Sequence, residues 1–124
     1  MKDPTSPVCR TISTLLARIG DKWTVLVVKT LGEGSKRFNE LRREIPSVSQ
    51  RMLTLTLRNL ERDGIVSRAV TPSIPPRVDY ALTDLGYSLL TPIMGLSEWA
   101  LDNIEAIHEA QARFDAQSEE RAAA

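Results

Sequence analysis

Three arginines share one side of a short amphipathic stretch, SQRMLTLTLRNLERDG, residues 49 to 64. At about 100° per residue, Leu53, Leu57 and Leu60 fall on one narrow face. Arg51, Arg58 and Arg62 fall opposite, within about 40° of one another. Leu55 lies among the arginines, Thr54 sits on the shoulder, and the acids Glu61 and Asp63 fall away from that line. Such a face suits a polyanion, because a guanidinium can grip guanine O6 and N7 bidentately or pair with phosphate. Thr54 can meet phosphate or a thymine methyl. Leu55 is either a contact to that methyl or an exposed misfit. Ser49 and Gln50 stand at the N-terminal end, the end of a helix-turn-helix that usually enters the major groove. Taken by itself, the helix also fits a plainer reading, a solvated rim.

The charge distribution is lopsided, though charge alone still fits two solvated faces better than a polyanion site. The chain is formally neutral, yet residues 35 to 70 hold eight basic residues (Lys36, Arg37, Arg42, Arg43, Arg51, Arg58, Arg62, Arg68) against four acidic ones, a net +4. Residues 98 to 121 hold seven acids against Arg113 and Arg121, a net −5. A basic middle is what a polyanionic partner needs. Other chemistry has little to work with. One cysteine, Cys9, and one histidine, His108, lie near opposite ends of the sequence. Cys/His metal sites and Cys-His or Ser-His nucleophilic pairs need more partners than that. The expectation is no enzyme, no metal and no cofactor. No stretch approaches the roughly 18 to 20 apolar residues of a membrane span, and MKDPTSPVCR lacks a signal-peptide core, so a cytoplasmic location is expected.

The elements that must position these residues can be read from caps and periodicity. At 124 residues the chain has a natural size for one domain, and it can bury a core without a disulfide or a structural metal. Ser6 and Pro7 open a first helix over 6–19 with Ile12, Leu15, Leu16 and Ile19 at helical spacing, and Gly20 ends it. Asp21 caps KWTVLVVKTL, which is apolar nearly all round and so is expected to be buried on most sides, with Trp23 in the core. Ser35 is the expected cap of a helix over 36–45, stopped by Pro46. Ser47 with Gln50 fits a capping box for the opening helix, and Ser49 is the rival cap. Residues 65–70 and 77–82 read as strands joined by TPSIPP, a stiff proline-rich tip. Thr83 caps a last helix in which Pro92 should introduce a kink or a break. The chain beyond about residue 115 should fray.

Short helix, tight turn, basic helix and hairpin, in that order, make a helix-turn-helix with a wing. At this point the sequence resembles the HxlR family of bacterial winged-helix transcription regulators, relatives of the MarR group. The matching residues are IGDKW (19–23), KRFNELRREIPSVSQRMLTLTLRNLERDGIVSR (36–68), PPRVDYALTDLG (75–86) and Trp99. The expected fold is α+β, mostly α: a winged helix-turn-helix with a two-stranded wing and N- and C-terminal dimerisation helices. It would occupy 1–124 as one domain, with a DNA-binding core over about 20–83, dimerisation helices over 6–19 and 84–115, and a frayed tail over 116–124.

The resemblance implies a homodimer on palindromic, double-stranded operator DNA, and hence a nucleoid-associated protein. Residues 49–63 would be the recognition helix. The loop 71–77 would be the wing, with Arg77 at its base on backbone or minor groove. The DNA-contact set is then Lys36, Arg37, Ser47, Ser49, Gln50, Arg51, Thr54, Leu55, Arg58, Arg62 and Arg77. The first and last helices would pair across the dimer through Ile12, Leu15, Leu90, Met94, Trp99 and Leu101. The residues agree, because the last helix carries two apolar stripes. A second stripe left in water would be a large exposed patch, unless one chain buries both. Members of the family respond to small-molecule or redox effectors, some through an N-terminal Cys-Pro-Val. Here Ser6-Pro7-Val8 stands in that place and Cys9 follows. Cys9 remains a candidate redox sensor near a helix N-terminus, or else an inert packing residue. A rival to the DNA reading is a winged-helix protein–protein module, which has no need of three arginines on one face.

Overall fold

Capping chemistry sets most of the helix starts. The computed structural model describes residues 5–123. Ser6 Oγ accepts the backbone N–H of Cys9 at 3.1 Å and Pro7 takes the first position of α1, Pro7–Ile19. Asp21 Oδ1 accepts from the N–H groups of Trp23 and Thr24 at the start of α2, Lys22–Leu31. Helices α3, Phe38–Glu44, and α4, Gln50–Arg62, follow, then strands β1, Val66–Thr71, and β2, Arg77–Leu82, and finally α5, Asp84–Ala123. Thr83 Oγ1 accepts the N–H of Gly86 and so caps α5.

The strands form an antiparallel hairpin in register from Val66 opposite Leu82 to Thr71 opposite Arg77. The tip spans residues 72 to 76 and contains a cis Ile74–Pro75 bond. The core gathers beneath α4 and the hairpin: Val27, Val28 and Leu31 of α2, Leu41 of α3, Leu53, Leu57 and Leu60 of α4, then Val66 and Leu82 of the strands, all buried. A winged helix-turn-helix results, with the α+β, mostly helical architecture expected.

Two glycines hold the joint between α4 and the hairpin. Gly64 adopts φ 76°, the left-handed region that other residues avoid. At Gly86 a Cβ would collide with the Ile65 carbonyl, so α5 starts hard against the entry to β1. Thr83 Oγ1 also donates to the Gly64 carbonyl at 2.6 Å, which ties the same corner.

Several local expectations gave way to longer-range contacts. The helix expected from Lys36 begins only at Phe38. Lys36 instead pairs as a bridge with Tyr80, N–H to carbonyl both ways at 2.9 and 2.8 Å. Extended backbone at 36 satisfies Tyr80 on the open edge of β2, which a helix there could not do. Ser49, not Ser47, caps α4, and its Oγ accepts the N–H of Met52 at 3.0 Å. Pro92 does not end α5. Proline removes one N–H from the ladder, and the helical residues on either side carry the helix through. The chain nevertheless divides there into two compact units, one ending at Thr91 and one starting at Pro92. Beyond 115, where fraying is expected, α5 is helical as far as Ala123, through Ala, Gln, Glu and Arg residues that favour helix. Within α2, Trp23 is only half-buried and lies under the Lys22 ammonium, 4.6 Å from its ring centre. Lys22 and Leu26 are the exposed residues of α2 and the other eight are buried or half-buried, so the helix is covered on most sides, as expected.

Candidate nucleic-acid interface

The two faces of α4 separate as the helical angles require. Leu53, Leu57 and Leu60 are at most 2% exposed, joined by Thr56 at 5%. Arg51, Thr54, Arg58 and Arg62 are exposed, and Leu55 is half open to solvent at 50%. Gln50, Arg51, Thr54, Leu55 and Arg58 line an open groove of about 600 Å3. The Ser49 cap leaves the hydroxyl hydrogen free, and the exposed end of the helix carries the positive side of its dipole. Thr54 is already engaged: its hydroxyl donates to the Gln50 carbonyl at 2.8 Å.

The cations divide sharply. Among the described residues, no ion pair holds Arg51, Arg58 or Arg62, so their charges are available to a partner. Lys36 is committed elsewhere. Its ammonium lies 3.1 Å from Glu44 and 3.3 Å from Glu33. The hydrogen bond to Glu44, with a smaller one to Glu33, holds its pKa above the usual lysine value. Arg77 is shared: its Nε donates to Asp79 at 3.0 Å, and that hydrogen bond raises its pKa. Four guanidinium N–H donors of Arg77 remain for another acceptor. Arg37 precedes α3 and is exposed, its backbone N–H donating to Glu40 Oε1 at 3.0 Å. Ser47 sits exposed in the turn between α3 and α4.

A second cleft, of about 350 Å3, joins α4 to the wing and is lined by Thr54, Leu57, Arg58, Glu61, Arg68 and Tyr80. Arg68 was not singled out by the sequence pattern. It stands opposite Tyr80 in the hairpin register, exposed and beside Arg58 in the cleft. Strand alternation from Val66 puts 66, 68 and 70 on one face, which is the signal that could have found it.

Behind this face, Arg18 Nε of α1 lies 2.9 Å from Asp63 Oδ2 at the C-terminal cap of α4. No hydrogen bond is aligned to that oxygen, so the pair is a charge contact. Cys9 is half-buried at the third position of α1. Of the residues expected at a dimer interface, Leu15 is 49% exposed and Ile12 half-buried. Met94, Trp99 and Leu101 of the second unit are exposed. Leu90 is committed within its own chain. A Cβ at Gly32 would fall 2.8 Å from its Cδ2, so the missing side chain of Gly32 makes the slot Leu90 fills.

The HxlR-like helix-turn-helix family model matches residues 18–108, which include every element of this face. The chain belongs to the HxlR-like helix-turn-helix family. An HTH-type transcriptional regulator of Bacillus subtilis, YdeP, is 42% identical over 106 residues, covering 81% of this chain and 83% of its own. Among solved structures, the redox regulator HypR in its reduced form is 42% identical with a TM-score of 0.74, over 80% of this chain and 98% of that one. A transcriptional regulator from Salmonella typhimurium, ytfH, is 31% identical with a TM-score of 0.76, over 89% and 95% of the two chains. This HxlR-like protein is a helix-turn-helix transcriptional regulator, and its relatives are regulators, not enzymes. The matched region leaves out Cys9 and the last turns of α5. Among the described residues, no helix is long and apolar enough to cross a membrane.

Proposed function

We propose that this regulator binds operator DNA as a homodimer, with α4 in the major groove and the wing on the flanking backbone or minor groove. One observation carries the reading. Arg51, Arg58 and Arg62 stand on one exposed face without an ion partner among the described residues, while Lys36, Arg77 and Arg18 are paired. A cation beside a carboxylate is already partly matched, whereas unpaired arginines in a row suit a polyanion. Arg68 joins the contact set from the wing side, and Arg37, Ser47, Ser49 and Gln50 supply contacts around the helix start. Lys36 leaves the set, because its charge is spent on Glu44 and Glu33.

Dimerisation is supported by apolar surface. Helix α1 contributes no buried residue and exposes Val8, Leu15 and Leu16. The second unit exposes Leu96, Trp99, Leu101 and Phe114. A monomer would hold all of this in water, which soluble proteins avoid. A two-fold dimer presents two copies of α4 and therefore calls for an operator with palindromic half-sites.

The test is binding to the DNA upstream of the protein's own gene as salt rises. Log affinity should fall steeply and linearly with log salt, by about 0.9 per phosphate contact. A flat slope, or no binding at low salt, would overturn the proposal in favour of a winged-helix module that binds protein.

A further inference from the structure

We infer that Leu55 makes this surface a reader of the C5-methyl group of a pyrimidine, thymine or 5-methylcytosine, set beside the bases held by its arginines. The inference rests on the DNA reading above and deepens it.

Leu55 is unlike the other leucines of α4. They are at most 2% exposed, and it is 50% exposed on the outward stripe. A single exposed leucine is ordinary by itself, so its surroundings must decide. Arg51 lies one turn before it and Arg58 one turn after, and all three line the same groove with Thr54 and Gln50. Thr54 would ordinarily be polar here. Its hydroxyl hydrogen, however, is held by the Gln50 carbonyl at 2.8 Å, so it has no donor to offer a base. The centre of the groove is thus apolar and both its ends are cationic.

A face built only for phosphate has no use for an apolar centre. In the major groove, thymine's C5-methyl is the one apolar feature that base pairs present, and 5-methylcytosine carries the same group. Along the helix axis Leu55 stands about 6 Å from Arg51 and about 4.5 Å from Arg58. The methyl should therefore lie within about two base pairs of a guanine that either arginine grips. Leu55 also borders a cleft with Thr14, Ala17 and Met52, and the competing role is a wall of that cleft with no part in base reading.

The experiment uses the full chain and duplexes selected by it from a random pool. Each thymine is replaced in turn by deoxyuridine, which removes only the methyl, and affinities are read by fluorescence anisotropy. One symmetry-related pair of thymines should lose about fourfold per position on replacement, the worth of one buried methyl-sized group. Leu55→Ala should bind the thymine and deoxyuridine duplexes alike, at the level of wild type on deoxyuridine. Leu55→Met should keep the discrimination. At the same position, a gain for 5-methylcytosine over cytosine extends the contact to methylated cytosine, and no gain there confines it to thymine. Circular dichroism of Leu55→Ala should match wild type, since the residue is half exposed. If deoxyuridine changes nothing at any position while binding stays specific and salt-dependent, the methyl inference falls and the DNA reading stands. If Leu55→Ala weakens thymine and deoxyuridine duplexes by the same factor, Leu55 is a wall of the cleft. If wild type shows no salt-dependent binding, the DNA reading itself falls.

Discussion

Replacing Arg51 and Arg62 one at a time separates base reading from simple charge. Both are exposed on α4 and neither is in an ion pair among the described residues. At 1.5 Å rise per residue they stand about 16.5 Å apart along the helix, more than the roughly 12 Å width of the major groove. If the N-terminal end is inserted, Arg51 reaches base edges and Arg62 is left over phosphate at the rim. Arg51→Ala should therefore lose about 1–3 kcal/mol on the preferred duplex, much less on a scrambled one, and relax preference at one position per half-site. Arg62→Ala should weaken both duplexes by a similar factor. Its salt slope should be shallower by about 0.9 per recognition helix, or roughly 1.8 for a dimer. Over a fourfold rise in salt the variant would then lose about tenfold less affinity than wild type. Fluorescence anisotropy across a potassium chloride series measures all of this. If Arg62→Ala altered base preference and Arg51→Ala only the slope, α4 would enter the groove by its other end. If neither variant changed affinity or slope, the face would not be the one DNA meets.

Four more outcomes follow from particular contacts. Ser49→Ala removes the cap on Met52 N–H and should cost about 1 kcal/mol in urea unfolding; an unchanged midpoint would mean that water caps the helix equally well. Gly86→Ala drives a Cβ into the Ile65 carbonyl, which should outweigh its helix-propensity gain and destabilise the fold by about 1–3 kcal/mol; a stabilised variant would show that the corner yields. Leu101→Asp, at a side chain 76% exposed, should shift the protein from dimer to monomer in light scattering and weaken operator binding, whereas a wild type already monomeric at micromolar concentration would remove the dimer proposal. Diamide should weaken DNA binding by wild type and not by Cys9→Ser, and equal loss in both would remove Cys9 as a redox input.

What the sequence made legible was local. Ser6, Asp21 and Thr83 cap the helices they were expected to cap, because a cap is decided within three or four residues. The faces of α4 follow from a 3.6-residue period and one strong contrast between leucine and arginine. Where two local signals competed, as Ser47 and Ser49 did, spacing alone did not choose. What escaped was set by partners far along the chain. Lys36 leaves its helix for Tyr80, 44 residues on, and Leu90 fills the slot made by Gly32. One contact was legible and passed over: Arg77 and Asp79 are two apart on a strand, hence on one face, as the 3.0 Å bond between them attests.

The same distinction bears on how charge should be read in this protein. Counting basic residues between 35 and 70 treats Lys36, Arg51 and Arg77 as equivalent. Lys36 lies between two carboxylates, Arg77 is divided between Asp79 and solvent, and Arg51 faces water alone among the described residues. A cation already matched by a carboxylate gains less from phosphate, because the phosphate must also meet the carboxylate's charge. The basic surface therefore narrows from a broad positive segment to a stripe on α4, with Arg68 beside it and Leu55 at its centre. A broad positive field would attract any polyanion. On the proposed DNA reading, a narrow stripe with an apolar centre suits one groove geometry and few base sequences, which is what a transcriptional regulator requires.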